Sequence, residues 1–126
     1  MTLILDAGAL LALEKNDKAV WKRFNSATLA GFPPVTHGGI VGQVWRADGP
    51  RQARLATALA GTEILPLDEE LGRKAGRLLG RSGTSDVIDA ALVLLAEDGD
   101  EIITSDPSDL AALSAYTGIG VEVIVV

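Results

Sequence analysis

Cysteine is absent from this 126-residue chain, and histidine occurs once, at His37. The absence of cysteine excludes a disulfide scaffold and zinc sites built from thiolates. A single histidine leaves little for imidazole-based metal binding or for a catalytic triad of serine and histidine. Any metal that this chain binds must therefore be held by oxygen ligands.

Aromatic residues and long apolar runs are also scarce. Aromatic residues make up 4% of the chain and hydrophobic residues 48%, a composition that favours helices packed on a sheet over an aromatic-rich β-sandwich. No stretch approaches the ~18 uninterrupted apolar residues that a membrane span requires. Residues 1–16 carry no basic run before their apolar stretch, which already contains Asp6. We therefore expect no signal peptide, no membrane association and a cytoplasmic protein.

Basic residues are also fewer than acidic residues. The net charge is −6 and the isoelectric point is near 4.6, which disfavours a protein that coats nucleic acid by neutralising phosphates. The deficit weighs less against an enzyme that binds its substrate locally, through bound cations and a few arginines.

Short apolar runs alternate with helical stretches along the chain. Strands are predicted at 2–5, 62–65, 101–104 and 121–126, with a weaker candidate at 34–36. Helices are predicted at 8–14, 17–30, 37–47, 50–60, 68–81, 85–97 and 107–116. Since 126 residues suffice for one core, we expect a single α/β domain over residues 1–126. Its central parallel sheet of four to five strands would lie between two layers of helices.

Capping signals accompany two of the later helices. Thr84-Ser85 is a candidate N-cap for the helix that follows, and Asp98-Gly99 is a candidate end for it. Asp106-Pro107 has the pattern of an N-cap followed by proline at the first helical position.

Four aspartates fall where the sheet would bring them together. Asp6 and Asp106 follow strands, and Asp86 opens a helix that carries Asp89 three residues later on the same face. The carboxyl ends of parallel strands share one edge, where ligands bind, so the four carboxylates could converge there. Packed carboxylates repel each other unless a cation neutralises them. The pattern predicts a Mg²⁺ site, with Mn²⁺ as an alternative, that is suited to phosphodiester hydrolysis.

Each aspartate has an ordinary explanation when it is considered alone. Asp6 and Asp106 could be N-caps, Asp86 could be a first-turn acid favoured by the helix dipole, and Asp89 could be a solvated helix acid. We interpret Asp109 as such a solvated acid. Only the joint placement at one sheet edge favours the metal site.

Other polar and aromatic residues have two interpretations each. His37 is expected at a loop or a helix start, with a catalytic role as the lesser alternative. Trp21 and Trp45 are expected to pack in the core or at a dimer contact. Three arginines could form a phosphate-binding patch or a solvated face, namely Arg46, Arg51 and Arg54.

Four sequence blocks together resemble the successive blocks of PIN-domain nucleases, and in particular the VapC-type toxins of bacterial toxin–antitoxin pairs. These blocks are LILDAGALLAL at 3–13, GQVWR at 42–46, TSDVIDAALVLLA at 84–96 and IITSDPSDLAAL at 102–113. The resemblance implies a PIN-like fold and places the family's metal-binding aspartates on Asp6, Asp86 and Asp106, with Asp89 as an additional acid. It also implies cleavage of RNA and inhibition by an antitoxin that docks near the acidic pocket.

Gln43 departs from the family pattern, because much of the family has a metal-binding glutamate at that position. An amide oxygen can accept a hydrogen bond from a metal-bound water, but it carries no charge and cannot act as a base. The substitution either weakens the metal site or shifts its work onto Asp89, with Gln43 lining the pocket.

The sequence thus supports a Mg²⁺-dependent endoribonuclease of the toxin type, with RNA approaching along the arginines, an antitoxin partner and a homodimeric state. A PIN-like binding module that has lost catalysis is the alternative, motivated by Gln43 and the acidic net charge. A phosphatase with an aspartyl nucleophile is weaker, because Gly8 stands where its second aspartate would be.

Overall fold

A five-stranded, all-parallel sheet forms the centre of the molecule, and its strand order is β3-β2-β1-β4-β5. The computed structural model describes residues 1–47 and 49–126. The strands are β1 (Leu3–Leu5), β2 (Val35–His37), β3 (Glu63–Leu65), β4 (Glu101–Thr104) and β5 (Glu122–Val125). The predicted α/β class and all five predicted strands are confirmed, including the weak candidate near residue 35.

Seven α-helices lie within the described residues and cover the sheet. They are α1 (Ala7–Glu14), α2 (Lys18–Leu29), α3 (Gly38–Val44), α4 (Ala53–Ala60), α5 (Glu69–Ser82), α6 (Val87–Val93) and α7 (Pro107–Ala115). A short 3₁₀ helix at Gly49–Gln52 leads into α4. Within the described ranges, no helix is long and apolar enough to cross a membrane.

The strand order reverses beside the central strand β1. The chain builds β2 and β3 outward on one side and then returns to place β4 on the other side, with Ile4 paired to Val35 and to Ile102. All residues of β1 and β4 are buried, as expected for parallel strands that are covered on both faces. The carboxyl ends of β1 and β4 therefore flank a topological switch point, the usual place for a ligand in such sheets.

Helix α3 is shorter than the predicted 37–47. It ends at Val44 because Trp45 has extended backbone. The guanidinium of Arg46 then donates hydrogen bonds to the carbonyls of Gly42, Gln43 and Trp45, at 2.7 to 3.1 Å. These bonds satisfy carbonyls that the end of the helix would otherwise leave unpaired.

Helix α6 also differs from the predicted 85–97 at both ends. Its N-cap is Asp86 rather than Thr84-Ser85, since the Asp86 carboxylate accepts the backbone N–H that a cap must satisfy. The helix ends at Val93, and Asp98-Gly99 lies in the following loop. Asp100 holds that loop, accepting from the backbone N–H groups of Glu97 and Thr2, both at 2.8 Å.

Candidate active site

The candidate site lies at the carboxyl edge of the sheet, beside the switch point. Asp6 directly follows β1, and Asp106 lies two residues beyond β4. Asp86 and Asp89 belong to the start of α6, which packs between α5 and α7. The structure thus brings together the four aspartates that the sequence singles out.

Asp6 is buried and held by two hydrogen bonds. Its Oδ1 accepts from the backbone N–H of Ala9 at 2.9 Å, so that Asp6 caps α1, and its Oδ2 accepts from the hydroxyl of Thr104. The same hydroxyl accepts from the backbone N–H of Asp106 at 2.8 Å. Burial raises the pKa of Asp6, while the hydrogen bonds from Thr104 and Ala9 oppose that rise. Thr104 therefore links the two aspartates that follow the strands.

Asp86 and Asp89 are joined through the first turn of α6. The Oδ1 atom of Asp86 accepts from the backbone N–H of Asp89 at 3.0 Å. Burial and then the charges of the neighbouring carboxylates raise the pKa of Asp89 from 3.8 to about 6. The carboxylates that contribute are Asp86, Asp6, Asp106 and Asp109. The pKa of Asp89 therefore responds to the charges of all four other carboxylates in the cluster.

Asp109 belongs to this cluster although the sequence pattern led us to interpret it as a solvated acid. It is exposed, but the charge of Asp106, together with a hydrogen bond to it, raises the pKa of Asp109. Asp109 also lines a cavity of about 360 Å³ with Asp86 and Asp89, and Ala112 and Leu113 contribute to the same lining. Its position three residues after Asp106 on one helix face was the signal that could have revealed it.

Capping hydrogen bonds are made by Asp6, as expected, and by Asp86, which we expected as a first-turn acid. Capping does not exclude metal binding. Asp6 and Asp86 each cap a helix with a single oxygen, Oδ1. Asp106 occupies the N-cap position before Pro107, as predicted, but its side chain makes no capping hydrogen bond. The Asp86 Oδ2 atom and the carboxylate of Asp106 are thus not used by capping.

The donor set fits a hard divalent cation in its chemistry. Among residues 1–47 and 49–126, no three acidic or histidine side chains are gathered closely enough for one ion to be bound by all of them. Mg²⁺ usually keeps several waters and is bound through one or two carboxylates. The cluster therefore suits an ion bound directly by a pair of aspartates and through water by the others.

Gln43 and two of the arginines lie together in a different place. Gln43 is exposed on α3 and lines a polar cavity of about 230 Å³ with Glu14, Arg46 and Arg51. Arg54 is exposed on α4 and lies outside that lining. Gln43 therefore does not line the cavity of Asp86, Asp89 and Asp109, and Arg54 does not line the cavity that Arg46 and Arg51 share.

A cavity of about 640 Å³ at the opposite edge of the sheet is larger than either of these. It lies between α2 and the starts of the strands, where Leu3 and Glu101 line it together with Arg23. The carboxylate cluster is remote from this cavity, because it lies where the strands end. Cavity size alone therefore does not identify the site.

Two of the remaining residues singled out from the sequence, Trp21 and His37, make structural contacts inside the protein. Trp21 packs against Phe24 with ring centroids 5.3 Å apart, and its indole N–H donates to the carbonyl of Leu13 at 3.0 Å. Trp45 is 41% exposed and therefore does not pack in the core, one of the two places expected for it. His37 is fully buried and caps α3.

Comparison with known proteins identifies the fold. No protein-family model matches this chain, and no curated protein matches its sequence. Among solved structures, it is similar to a chain of VapBC2 from Rickettsia felis, whose crystal structure has the complex bound to a DNA fragment from their promoter. The TM-score is 0.71 at 12% sequence identity, and the match covers 98% of each chain. This likeness shows that the chain has a VapC-like, PIN-like fold, as the sequence blocks predict.

Proposed function

We propose that this chain is a Mg²⁺-dependent endoribonuclease, the toxin of a toxin–antitoxin pair, that hydrolyses RNA phosphodiester bonds at the aspartate cluster. The observation that carries the proposal is the convergence of five carboxylates at the switch point of a PIN-like sheet. Burial, and then repulsion from the other four carboxylates, raises the pKa of Asp89 to about 6. Such a cluster is unfavourable for the metal-free fold and favourable for binding a cation.

Each aspartate has a distinct part in holding the ion. Thr104 orients the carboxylate of Asp6 and holds the backbone of Asp106, the two aspartates that follow the strands. Asp86 is oriented by its cap on α6, and Asp89 supplies the charge that Gln43 lacks. When bound, Mg²⁺ (or Mn²⁺) would polarise the phosphodiester and lower the pKa of the attacking water.

The RNA would approach from the side of the polar cavity. Arg46 and Arg51 line that cavity with Leu11 of α1, five residues after Asp6. The two arginines thus border the helix that Asp6 caps, which supports a phosphate path toward the carboxylates in spite of the net charge of −6.

Two protein partners follow from the same proposal. VapBC2 of the matched structure is a complex, which supports a cognate antitoxin for this chain, with a basic side chain entering the acidic pocket. A homodimer is supported by the exposed Trp45, which lies beside Val41 and Leu59 on an apolar surface of α3 and α4. Light scattering of the wild type and of Trp45→Ala would test the dimer, which the substitution should weaken.

RNA cleavage by the purified protein tests the activity. We expect cleavage of labelled single-stranded RNA with Mg²⁺ and none with a chelator. Asp6→Asn and Asp86→Asn should each lower the rate by at least about 100-fold, because each removes a charge that holds the ion. Asp98→Asn is the matched control, since Asp98 lies in the loop before β4, at the opposite edge, and asparagine keeps the acceptor for Gly120. Equal cleavage by the wild type and both site variants would refute the proposal.

A binding module that has lost catalysis is the second candidate. It is favoured by the neutral Gln43, by the cavity in which Gln43 lies and by the absence, within the described ranges, of three carboxylates around one point. Calorimetry separates the two candidates. Wild-type protein that binds neither Mg²⁺ nor Mn²⁺ at millimolar concentrations would favour the binding module.

A further inference from the structure

His37 makes two hydrogen bonds that join distant parts of the chain. It ends β2 and is fully buried. Its Nδ1 atom accepts from the backbone N–H of Gly39 at 3.0 Å, which caps α3. The proton must then reside on Nε2, which donates to the carbonyl of Ile88 at 2.9 Å, across 51 residues of sequence. The imidazole therefore connects the end of β2 to the first turn of α6.

Capping alone does not account for a histidine at this position. Serine, threonine, aspartate and asparagine are the preferred N-caps, and each would satisfy Gly39 with a shorter side chain. Burial lowers the pKa of His37, so the ring is neutral near pH 7 and keeps one donor and one acceptor nitrogen. Unlike these shorter caps, the imidazole also has an N–H donor, Nε2–H, that reaches the carbonyl of Ile88.

Ile88 lies between the two aspartates of α6. The segment that precedes them, Thr84-Ser85, is exposed. On the other side, Gly39 makes room for Ile88, because a Cβ at Gly39 would lie 2.6 Å from Ile88 Cδ1. The start of α3 and the first turn of α6 thus fit together through one hydrogen bond and one close contact.

We propose that His37 is a positioning residue, whose Nε2–H bond to the Ile88 carbonyl holds the first turn of α6, and with it Asp86 and Asp89, beside the other carboxylates of the cluster. This inference rests on the proposed function, because the positioning matters for a cation bound by those carboxylates. A displacement of about 1 Å at such a site is enough to lower its function by about 100-fold.

Two substitutions at His37 separate the bridge from the cap. His37→Asn keeps an acceptor the same number of bonds from Cβ as Nδ1, so it retains the cap and loses the donor to Ile88. His37→Gln keeps an N–H donor the same number of bonds from Cβ as Nε2, so it retains the bridge and loses the cap. Neither side chain fills the buried space of the imidazole completely. If His37 had a purely structural role, both variants would therefore lose Mn²⁺ affinity to a similar extent.

The experiment measures Mn²⁺ affinity by calorimetry, amide hydrogen exchange without metal, and urea midpoints for all variants. His37→Asn should weaken Mn²⁺ binding about 10- to 100-fold and speed exchange at residues 89–92, as expected for loss of a residue that orients ligands. His37→Gln should bind Mn²⁺ within about threefold of the wild type. The inference is overturned if the two variants lose affinity equally, or if neither affinity nor exchange changes in His37→Asn.

Gly39→Ala tests the same coupling with the imidazole still present, and it keeps the inference testable should His37→Asn fail to fold. Its Cβ would lie 2.6 Å from Ile88 Cδ1 and 2.9 Å from His37 Cε1, so it would disturb the contact between the two residues. We therefore expect weaker Mn²⁺ binding, whereas Gly76→Ala, in open space on α5, should bind as the wild type does. Wild-type affinity in Gly39→Ala would contradict the inference while leaving the proposed function intact. A wild type that binds no Mn²⁺ or Mg²⁺ would overturn both.

Discussion

Asp89→Asn should stabilise the metal-free protein at neutral pH and abolish its response to Mg²⁺. In the folded chain Asp89 keeps its proton up to about pH 6, whereas the reference pKa is 3.8, because burial and four neighbouring carboxylates disfavour its charge. The folded state therefore binds more protons than the unfolded state between these values, and wild-type stability falls as the pH rises from below 4 to above 6. Asparagine does not ionise, so the advantage of the variant appears over this same range.

The size of the effect follows from the shift in pKa. For a fully buried group, a change from 3.8 to about 6 corresponds to about 3 kcal/mol. Asp89 is only half-buried, and solvent screening reduces the expected gain to about 1 kcal/mol. The Asp89→Asn variant should therefore be more stable than the wild type by about this amount at pH 7.5, and the two should be equal below pH 4.

Urea unfolding with and without Mg²⁺ measures both parts of the prediction. At ten times its Kd, Mg²⁺ should stabilise the wild type by about 1.4 kcal/mol, because it binds the folded state alone. The variant should show no such gain if Asp89 compensates for the neutral Gln43. Asp98→Asn serves as the control, with wild-type behaviour in both conditions. Equal Mg²⁺ stabilisation of the wild type and Asp89→Asn would show that Asp89 is only a helix acid, and the reasoning about compensation would be wrong.

Three further substitutions test other contacts of the site. Thr104→Val removes the hydroxyl that joins the two strand ends, so urea unfolding should show a loss of about 1–3 kcal/mol, which Thr104→Ser should largely avoid. Gly8→Ala should cost about 1–3 kcal/mol in the same assay, because its Cβ would lie 2.2 Å from Ser105 Oγ, whereas Gly76→Ala, in open space, should be neutral or stabilising. Gln43→Glu should tighten Mg²⁺ binding in calorimetry at least threefold if Gln43 lines the metal site, and unchanged affinity would place Gln43 outside it.

The buried strands were predictable because parallel strands covered on both faces are continuous apolar runs, as in β1 and β4. The same apolar pattern made the predicted end of α6 wrong, because Leu94 and Leu95 continue the pattern although the helix ends at Val93. There the backbone N–H groups of Leu95 and Ala96 bond to carbonyls three residues back, which forms a turn. Local pattern does not reveal that Asp100 holds the loop beyond that turn.

The sequence predicted those residues of the site that a local sequence pattern marks. Asp6, Asp86 and Asp106 stand at boundaries between elements, where capping chemistry marks them. Asp109 carries only the signal of a surface helix acid, and its proximity to Asp86 and Asp89 depends on how α6 and α7 pack. The partner of His37 lies 51 residues away, and no spacing rule connects the two.

The three best-marked aspartates also explain how the fold tolerates so much negative charge in one place. Asp6, Asp86 and Asp106 occupy the N-cap positions of α1, α6 and α7, so three helix N-termini begin at the same edge. The partial positive charge of each helix start offsets part of the repulsion between carboxylates. Asparagine caps a helix about as well as aspartate does, so Asp6→Asn and Asp86→Asn remove ligand charge while keeping the cap, and Asp106→Asn removes charge from a side chain that makes no capping hydrogen bond. Loss of metal binding in such variants can therefore be attributed to the missing charge rather than to a frayed helix.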